Sequence, residues 1–151
     1  MPRCIDLLPR SGRCMKDNAT SPDTGCTLMV IDDNDVDRMM ARRMANRCGV
    51  VERFLSFESA LDALEFLSSE QFQKVDVILL DGRMPKMDGI SFLKRMDERC
   101  RARLDGTKIF MLTTVISEGE MELAAEFPTV KGFLNKPLSD RQLSELLGER
   151  A

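Results

Sequence analysis

Val77-Ile78-Leu79-Leu80-Asp81-Gly82-Arg83-Met84-Pro85-Lys86-Met87-Asp88-Gly89 decides the reading of this chain. A run of branched apolar residues ends abruptly in a carboxylate, and a loop marked by Pro85 and Gly89 follows. An uninterrupted apolar run fits a strand buried on both faces, as in a parallel sheet. Asp81 then stands at the strand's carboxyl end, the edge where open α/β sheets place their sites.

The same grammar repeats on both sides of that stretch. Thr27-Leu28-Met29-Val30-Ile31 is a short apolar run ending in the acidic loop Asp32-Asp33-Asn34-Asp35. Val36, Met40, Met44 and Cys48 follow at four-residue spacing, which predicts an amphipathic helix ending before Gly49. Residues 51–57 read as a second strand, with Ser56 as cap of a helix carrying Ala60, Leu61, Leu64 and Leu67. The strand at 75–80 comes third, and Asp88 can cap the helix of Ile90, Leu93, Met96 and Cys100. Residues 108–114 form a fourth strand, and Ser117-Glu118-Gly119-Glu120 has the form of a capping box. Residues 130–135 form the fifth strand, ending at Lys136-Pro137, before a second box at Ser139-Asp140-Arg141-Gln142 and a helix with Leu143, Leu146 and Leu147. Five strands alternating with five helices argue for a doubly wound parallel sheet covered on both faces. Right-handed crossovers bring all the strand carboxyl ends to one edge.

Composition narrows the function. The chain has 151 residues, with 22 Lys and Arg against 25 Asp and Glu, a net charge of −3. That balance gives no reason to expect nucleic acid or a membrane surface as partner. The apolar runs are far too short to span a bilayer, and Ile5-Asp6-Leu7-Leu8 is too short and too interrupted for a signal peptide. A cytoplasmic protein is expected. There are 5 cysteines and no histidine. An odd count with no Cys-x-x-Cys argues against zinc and against a disulfide framework. Chemistry here runs on carboxylates, hydroxyls and amines. Residues 1–26 carry no sustained apolar periodicity and read as a flexible N-terminal extension, with Met15 as an alternative start; the domain spans 27–151.

The last residues of the central strands give Asp32 and Asp33, then Asp81, then Thr113, then Lys136. Carboxylates do not share a site cheaply: two like charges about 4 Å apart repel by roughly 4 kcal/mol at an effective dielectric near 20. Either a pKa rises or a cation enters. Oxygen ligands without Cys or His suit a hard ion, Mg²⁺ foremost. Lys136 adds a point charge suited to a phosphoryl oxygen and Thr113 a hydroxyl donor. Together these groups describe phosphoryl transfer onto aspartate.

Taken jointly, Asp32-Asp33, the stretch from Asp81 to Gly89, Thr113 and Lys136-Pro137 resemble the receiver domain of two-component response regulators, from Thr27 to about Gly148. The resemblance implies a flavodoxin-like sheet of strand order 2-1-3-4-5. It implies that Asp81 is the phosphoacceptor and that Thr113 and Lys136 contact the phosphoryl group. It implies Mg²⁺ held by Asp32, Asp33 and Asp81 with the backbone carbonyl of Arg83. Phe133 matches the family's switch aromatic, coupled to movement of Thr113. Many relatives have a cis bond where Lys136-Pro137 stands. The implied partners are a histidine kinase or histidine phosphotransfer protein as donor, and a downstream protein target. The residues after Pro137 suffice for one helix, so a stand-alone, non-enzymatic receiver is expected, read out by protein binding or acting as a phosphate relay or sink. Two rivals stand beside it. A Mg²⁺-dependent phosphatase with Asp81 as nucleophile usually needs an acid two residues later, where Arg83 stands. A pseudo-receiver that binds partners unphosphorylated usually lacks the acceptor or the acidic pair, and both are present.

The chain departs from its relatives at Gly82, at Phe127-Pro128-Thr129 and at Thr114, where a small residue, commonly Ala, is usual. Thr114 follows the phosphoryl-contacting Thr113, and its bulk restricts the approach of water or a phosphatase. Thr114→Ala is expected to change the rate of phosphoryl loss; equal decay of the two phosphoproteins refutes this.

Overall fold

The computed structural model describes residues 4–7, 26–70, 72, 74–84, 86–114 and 117–148. The sheet is built from β1 (Cys4–Leu7), β2 (Cys26–Ile31), β3 (Val51–Phe57), β4 (Val77–Asp81), β5 (Lys108–Thr113) and β6 (Val130–Asn135). The helices are α1 (Asp35–Cys48), α2 (Ala60–Ser68), α3 (Gly89–Cys100), α4 (Glu118–Ala125) and α5 (Asp140–Gly148). Strand order is β1-β3-β2-β4-β5-β6. Strands β2 to β6 are all parallel to one another and give the expected 2-1-3-4-5 order among themselves.

The sequence placed residues 1–26 in an extension. Within it, Cys4–Leu7 pairs antiparallel with β3, in register from Cys4 opposite Ser56 to Leu7 opposite Arg53. Residues 1–3 and 8–25 lie outside the described residues. Cys26 is fully buried as the first residue of β2, one position ahead of the expected start of the domain.

The central strands alternate between two cores, which is why their sequences read as continuous apolar runs. Met29 and Ile31, Ile78 and Leu80, and Ile109 and Met111 face α2, α3 and α4. Leu28 and Val30, Val77 and Leu79, and Phe110 and Leu112 face α1 and α5. Each of the four apolar residues of β4 is fully buried, worth about 1.5–3 kcal/mol per side chain. This rigid strand carries Asp81 at its tip.

Two local expectations are corrected. The cap of α2 is Ser59, not Ser56: β3 continues through Phe57, and the Ser59 side chain accepts from the amides of Leu61 and Asp62. The buried face of α1 is Ala41, Met44 and Ala45, with Val36, Met39 and Met40 exposed. Small alanines let the helix lie close on the sheet, with Met44 the one large residue of that buried set. The box at Ser139 forms in both directions, Ser139 Oγ accepting from the Gln142 amide and Gln142 Oε1 from the Ser139 amide, each at 3.1 Å.

The loop after Asp81 is held down by close backbone approach. Gly82 N donates to Leu112 O at 3.0 Å, and Gly89 N to Gly82 O at 3.2 Å. A Cβ on Gly89 would lie 2.8 Å from Met111 Cε and 3.1 Å from Gly82 Cα. One on Gly82 would meet nothing closer than 3.6 Å. Gly89→Ala should therefore destabilise the protein by about 1–3 kcal/mol, as overpacking does, and Gly82→Ala by less than about 1 kcal/mol. Urea denaturation midpoints of the two variants test this; equal losses would contradict it.

Candidate functional site

Asp81 ends β4 opposite Leu112 and is 4% exposed. The amide of Arg83 donates to Asp81 Oδ1 at 3.2 Å, closing the first turn of the loop over the carboxylate. Asp32 follows β2, its amide donating to Phe57 O at 3.0 Å. Its side chain is fully buried, and Oδ1 accepts from the Asn34 amide at 2.9 Å. That local turn aims the carboxylate back over the strand end and starts α1, which Asn34 caps by accepting from the Asp37 amide. Asp33 is exposed beside it. One carboxylate oxygen from each of Asp32, Asp33 and Asp81 lies within 4.8 Å of the other two.

Lys136 reaches into this cluster from the end of β6. Its amide donates to Thr113 O at 3.0 Å, and the Lys136-Pro137 bond is cis. Its Nζ lies 2.9 Å from Asp32 Oδ2, 3.0 Å from Asp37 Oδ2 and 3.5 Å from Asp81 Oδ1. Burial works to lower the ammonium's pKa, but the carboxylates of Asp32 and Asp37, with Asp81 behind them, outweigh it and hold it above the usual lysine value. Asp81 is pushed the other way. Burial first, then the charge of Asp32, raise it from 3.8 to about 7, against the opposing Arg83 amide and Lys136.

The donor set fits a hard divalent cation. All three clustered ligands are carboxylates, with no thiol or imidazole among them. Asp32 Oδ2 is buried and accepts no hydrogen bond of good geometry; its close neighbour is the off-line Lys136 charge. One ammonium against this many carboxylates leaves negative charge for an ion to balance, and Mg²⁺ suits such oxygen ligands.

Thr113 and Phe133 line one recess on the other side of the sheet edge. Thr113 is buried at the end of β5, in step with Ile109 and Met111. Phe133 is half-buried on β6 opposite Met111. Both line a small recess with Gly82, Ile90, Met111 and Glu120. Asp32, Asp33, Asp81 and Lys136 thus gather on one side and Thr113 and Phe133 on the other, with the Asp81–Gly82 turn between them. The Arg83 side chain is exposed, and its backbone amide is the group that engages Asp81.

Two residues of the site escaped the sequence reading. Asp37, in the first turn of α1, reads as an ordinary helix-start acid, yet it pairs with Lys136. Arg38 donates to the Asp32 carbonyl at 2.6 Å and pairs with Asp35, with Glu58 at 3.7 Å, clamping the acidic loop to the helix. The signal available for both was their position, four and five residues beyond Asp33, on the turn that overhangs the strand end.

A parallel α/β sheet with clustered carboxylates and a lysine at its carboxyl edge defines a class of flavodoxin-like proteins with an acidic site. The model of the response regulator receiver domain matches residues 28–148, and the chain belongs to that family. It is 32% identical over 121 residues to a cyclic di-GMP phosphodiesterase response regulator of Xanthomonas campestris, covering 80% of this chain and 30% of that protein. It is 29% identical over 120 residues to a chemotaxis protein, CheY1, of Helicobacter pylori, covering 80% of this chain and 92% of that one. The chain spans 30%, 14% and 10% of the length of three curated relatives it matches. The crystal structure of Vibrio cholerae chemotaxis protein CheY4 superposes with a TM-score of 0.71 at 24% identity, covering 84% of this chain and 99% of that one. A two-component response regulator of Cytophaga hutchinsonii gives 0.73 at 18% identity, covering 84% and 97%. Receiver domains bind Mg²⁺ at an acidic pocket and are phosphorylated by histidine kinases or phosphotransfer proteins; they are generally phosphoacceptors rather than true enzymes. Among the described residues no helix is long and apolar enough to cross a membrane.

The raised Asp81 pKa has a consequence for metal-free protein. The folded state binds a proton that the unfolded state releases between pH 3.8 and about 7. The group's contribution is complete below that window and is lost as pH rises through it. Stability should fall by on the order of 3 kcal/mol from pH 4 to pH 8 relative to Asp81→Asn, which lacks the titration. Denaturation of both proteins in chelator across that range is the check; parallel pH profiles would refute the assignment.

Proposed function

We propose that this receiver accepts a phosphoryl group on Asp81 from the phosphohistidine of a histidine kinase or histidine phosphotransfer protein. The observation that carries the reading is the buried Asp81 carboxylate, 3.5 Å from the Lys136 ammonium and clustered with Asp32 and Asp33. In the transfer a carboxylate oxygen of Asp81 forms the new P–O bond, the P–N bond of the donor breaks, and the imidazole leaves with the electron pair. The chain has no histidine, so the donor is another protein or domain.

Asp32, Asp33 and Asp81, with the backbone carbonyl of Arg83, would hold Mg²⁺. When bound, the ion supplies positive charge that keeps the carboxylates ionised and offsets charge on the phosphoryl oxygens. Lys136 binds one phosphoryl oxygen as a point charge, and the Thr113 hydroxyl donates to another. Thr113 lines a recess with Phe133, which supports coupling of the hydroxyl's movement to the ring and thence to a downstream protein target. The same acceptor can instead pass its group on as a relay or discharge it as a sink. We place this activity in the cytoplasm, where such donors present their histidines.

The test is incubation with Mg²⁺ and either acetyl phosphate or beryllofluoride, read by mass and by ¹⁹F NMR. The expected result is stoichiometric modification that needs Mg²⁺ and disappears in Asp81→Asn. Absence of modification with Mg²⁺ present would favour a pseudo-receiver, and rapid turnover of unrelated phosphate esters a phosphatase.

A further inference from the structure

We propose that Asp37 positions the Lys136 ammonium, sharing it with the acidic cluster and competing with a phosphoryl group for it. This rests on the phosphoacceptor reading of Asp81.

Three carboxylates touch the ammonium, and only two belong to the metal-type cluster. The third, Asp37, comes from the first turn of α1, and its side chain is 35% exposed. An acid serving only the helix start needs no ammonium. Asp35, in the same turn, is 84% exposed and pairs with Arg38. Asp37 instead donates its amide to the Asn34 cap and accepts from Lys136 Nζ at 3.0 Å. The lysine has one charge to distribute. Oxygens of a phosphoryl group on Asp81 draw it toward them, and the Asp37 carboxylate opposes that move while adding like charge nearby. With Asp37 removed, the ammonium settles on Asp32 and Asp81, where it competes with a divalent cation. Two effects of opposite sign follow: tighter anion binding and weaker Mg²⁺ binding.

The experiment compares wild type, Asp37→Asn, Asp37→Glu and Asp35→Asn. Each is titrated with Mg²⁺ alone by calorimetry, then with beryllofluoride at saturating Mg²⁺ by ¹⁹F NMR. Asp37→Asn should bind beryllofluoride about threefold more tightly and Mg²⁺ about threefold more weakly, within the range of a partly exposed ion pair. Asp37→Glu should return both values toward wild type. Asp35→Asn makes the same change in net charge without touching Lys136, and should move neither as far. Unchanged affinities in Asp37→Asn, or shifts matched by Asp35→Asn, overturn the proposal. If wild type takes no beryllofluoride, the phosphoacceptor reading fails, and the Mg²⁺ titration still decides whether Asp37 positions the lysine.

Discussion

The carboxyl edge of this sheet depends on one ammonium group. Lys136 stands against carboxylates from the β2–α1 loop, the first turn of α1 and the end of β4. Without it, Asp32 and Asp81 are two buried acids with no counter-charge, a costly arrangement in a medium of low polarity. With it, the balance is still negative, because Asp33 and Asp37 crowd the same place. Burial first, and the neighbouring charge of Asp32 after it, push the Asp81 carboxyl above its ordinary value. Four carboxylates around one ammonium leave an excess of negative charge that suits a hard cation.

The alternation of side chains along the strands divides the labour. Asp81 is in step with Val77 and Leu79, which face α1 and α5, and the charged cluster lies on that side. Thr113 is in step with Ile109 and Met111, which face the opposite helices, and the recess with Phe133 lies there. The two halves touch through the turn at Gly82, whose amide hangs from the Leu112 carbonyl. Met111 reaches under that turn into the space Gly89 leaves. The charged half and the recess thus share one tightly packed turn.

Much of this was legible before any coordinates. The central strands announce themselves because burial on both faces leaves no polar interruption, and each ends in the polar residue that makes the site. Asp32, Asp33, Asp81 and Lys136 were found by reading strand ends alone. Half of the α1 stripe was misread, Met44 and Cys48 packing on the core while Val36 and Met40 stand exposed, because apolar spacing marks a stripe without saying whether Met40 or Ala41 faces inward. Ser56 was mistaken for the cap because a strand's last residues carry no label of their own. Asp37 was hidden because its partner lies 99 positions along the chain, and pairing at that range is a property of the fold. The roles given to Thr113 and Phe133 came from family resemblance; the chain by itself supplies only a hydroxyl and a ring.

The short strand at the start of the chain changes what the sheet presents to its surroundings. A parallel sheet of this order would expose β3 along its seven-residue length, a row of amides and carbonyls open to any extended segment. β1 pairs with four of those residues, Arg53 to Ser56, and as a four-residue strand it is itself a short edge. An edge so brief offers little purchase for strand-by-strand stacking of copies. Cys4–Leu7 thus act as a hem on the fabric, shortening the stretch of β3 ladder left open on that side.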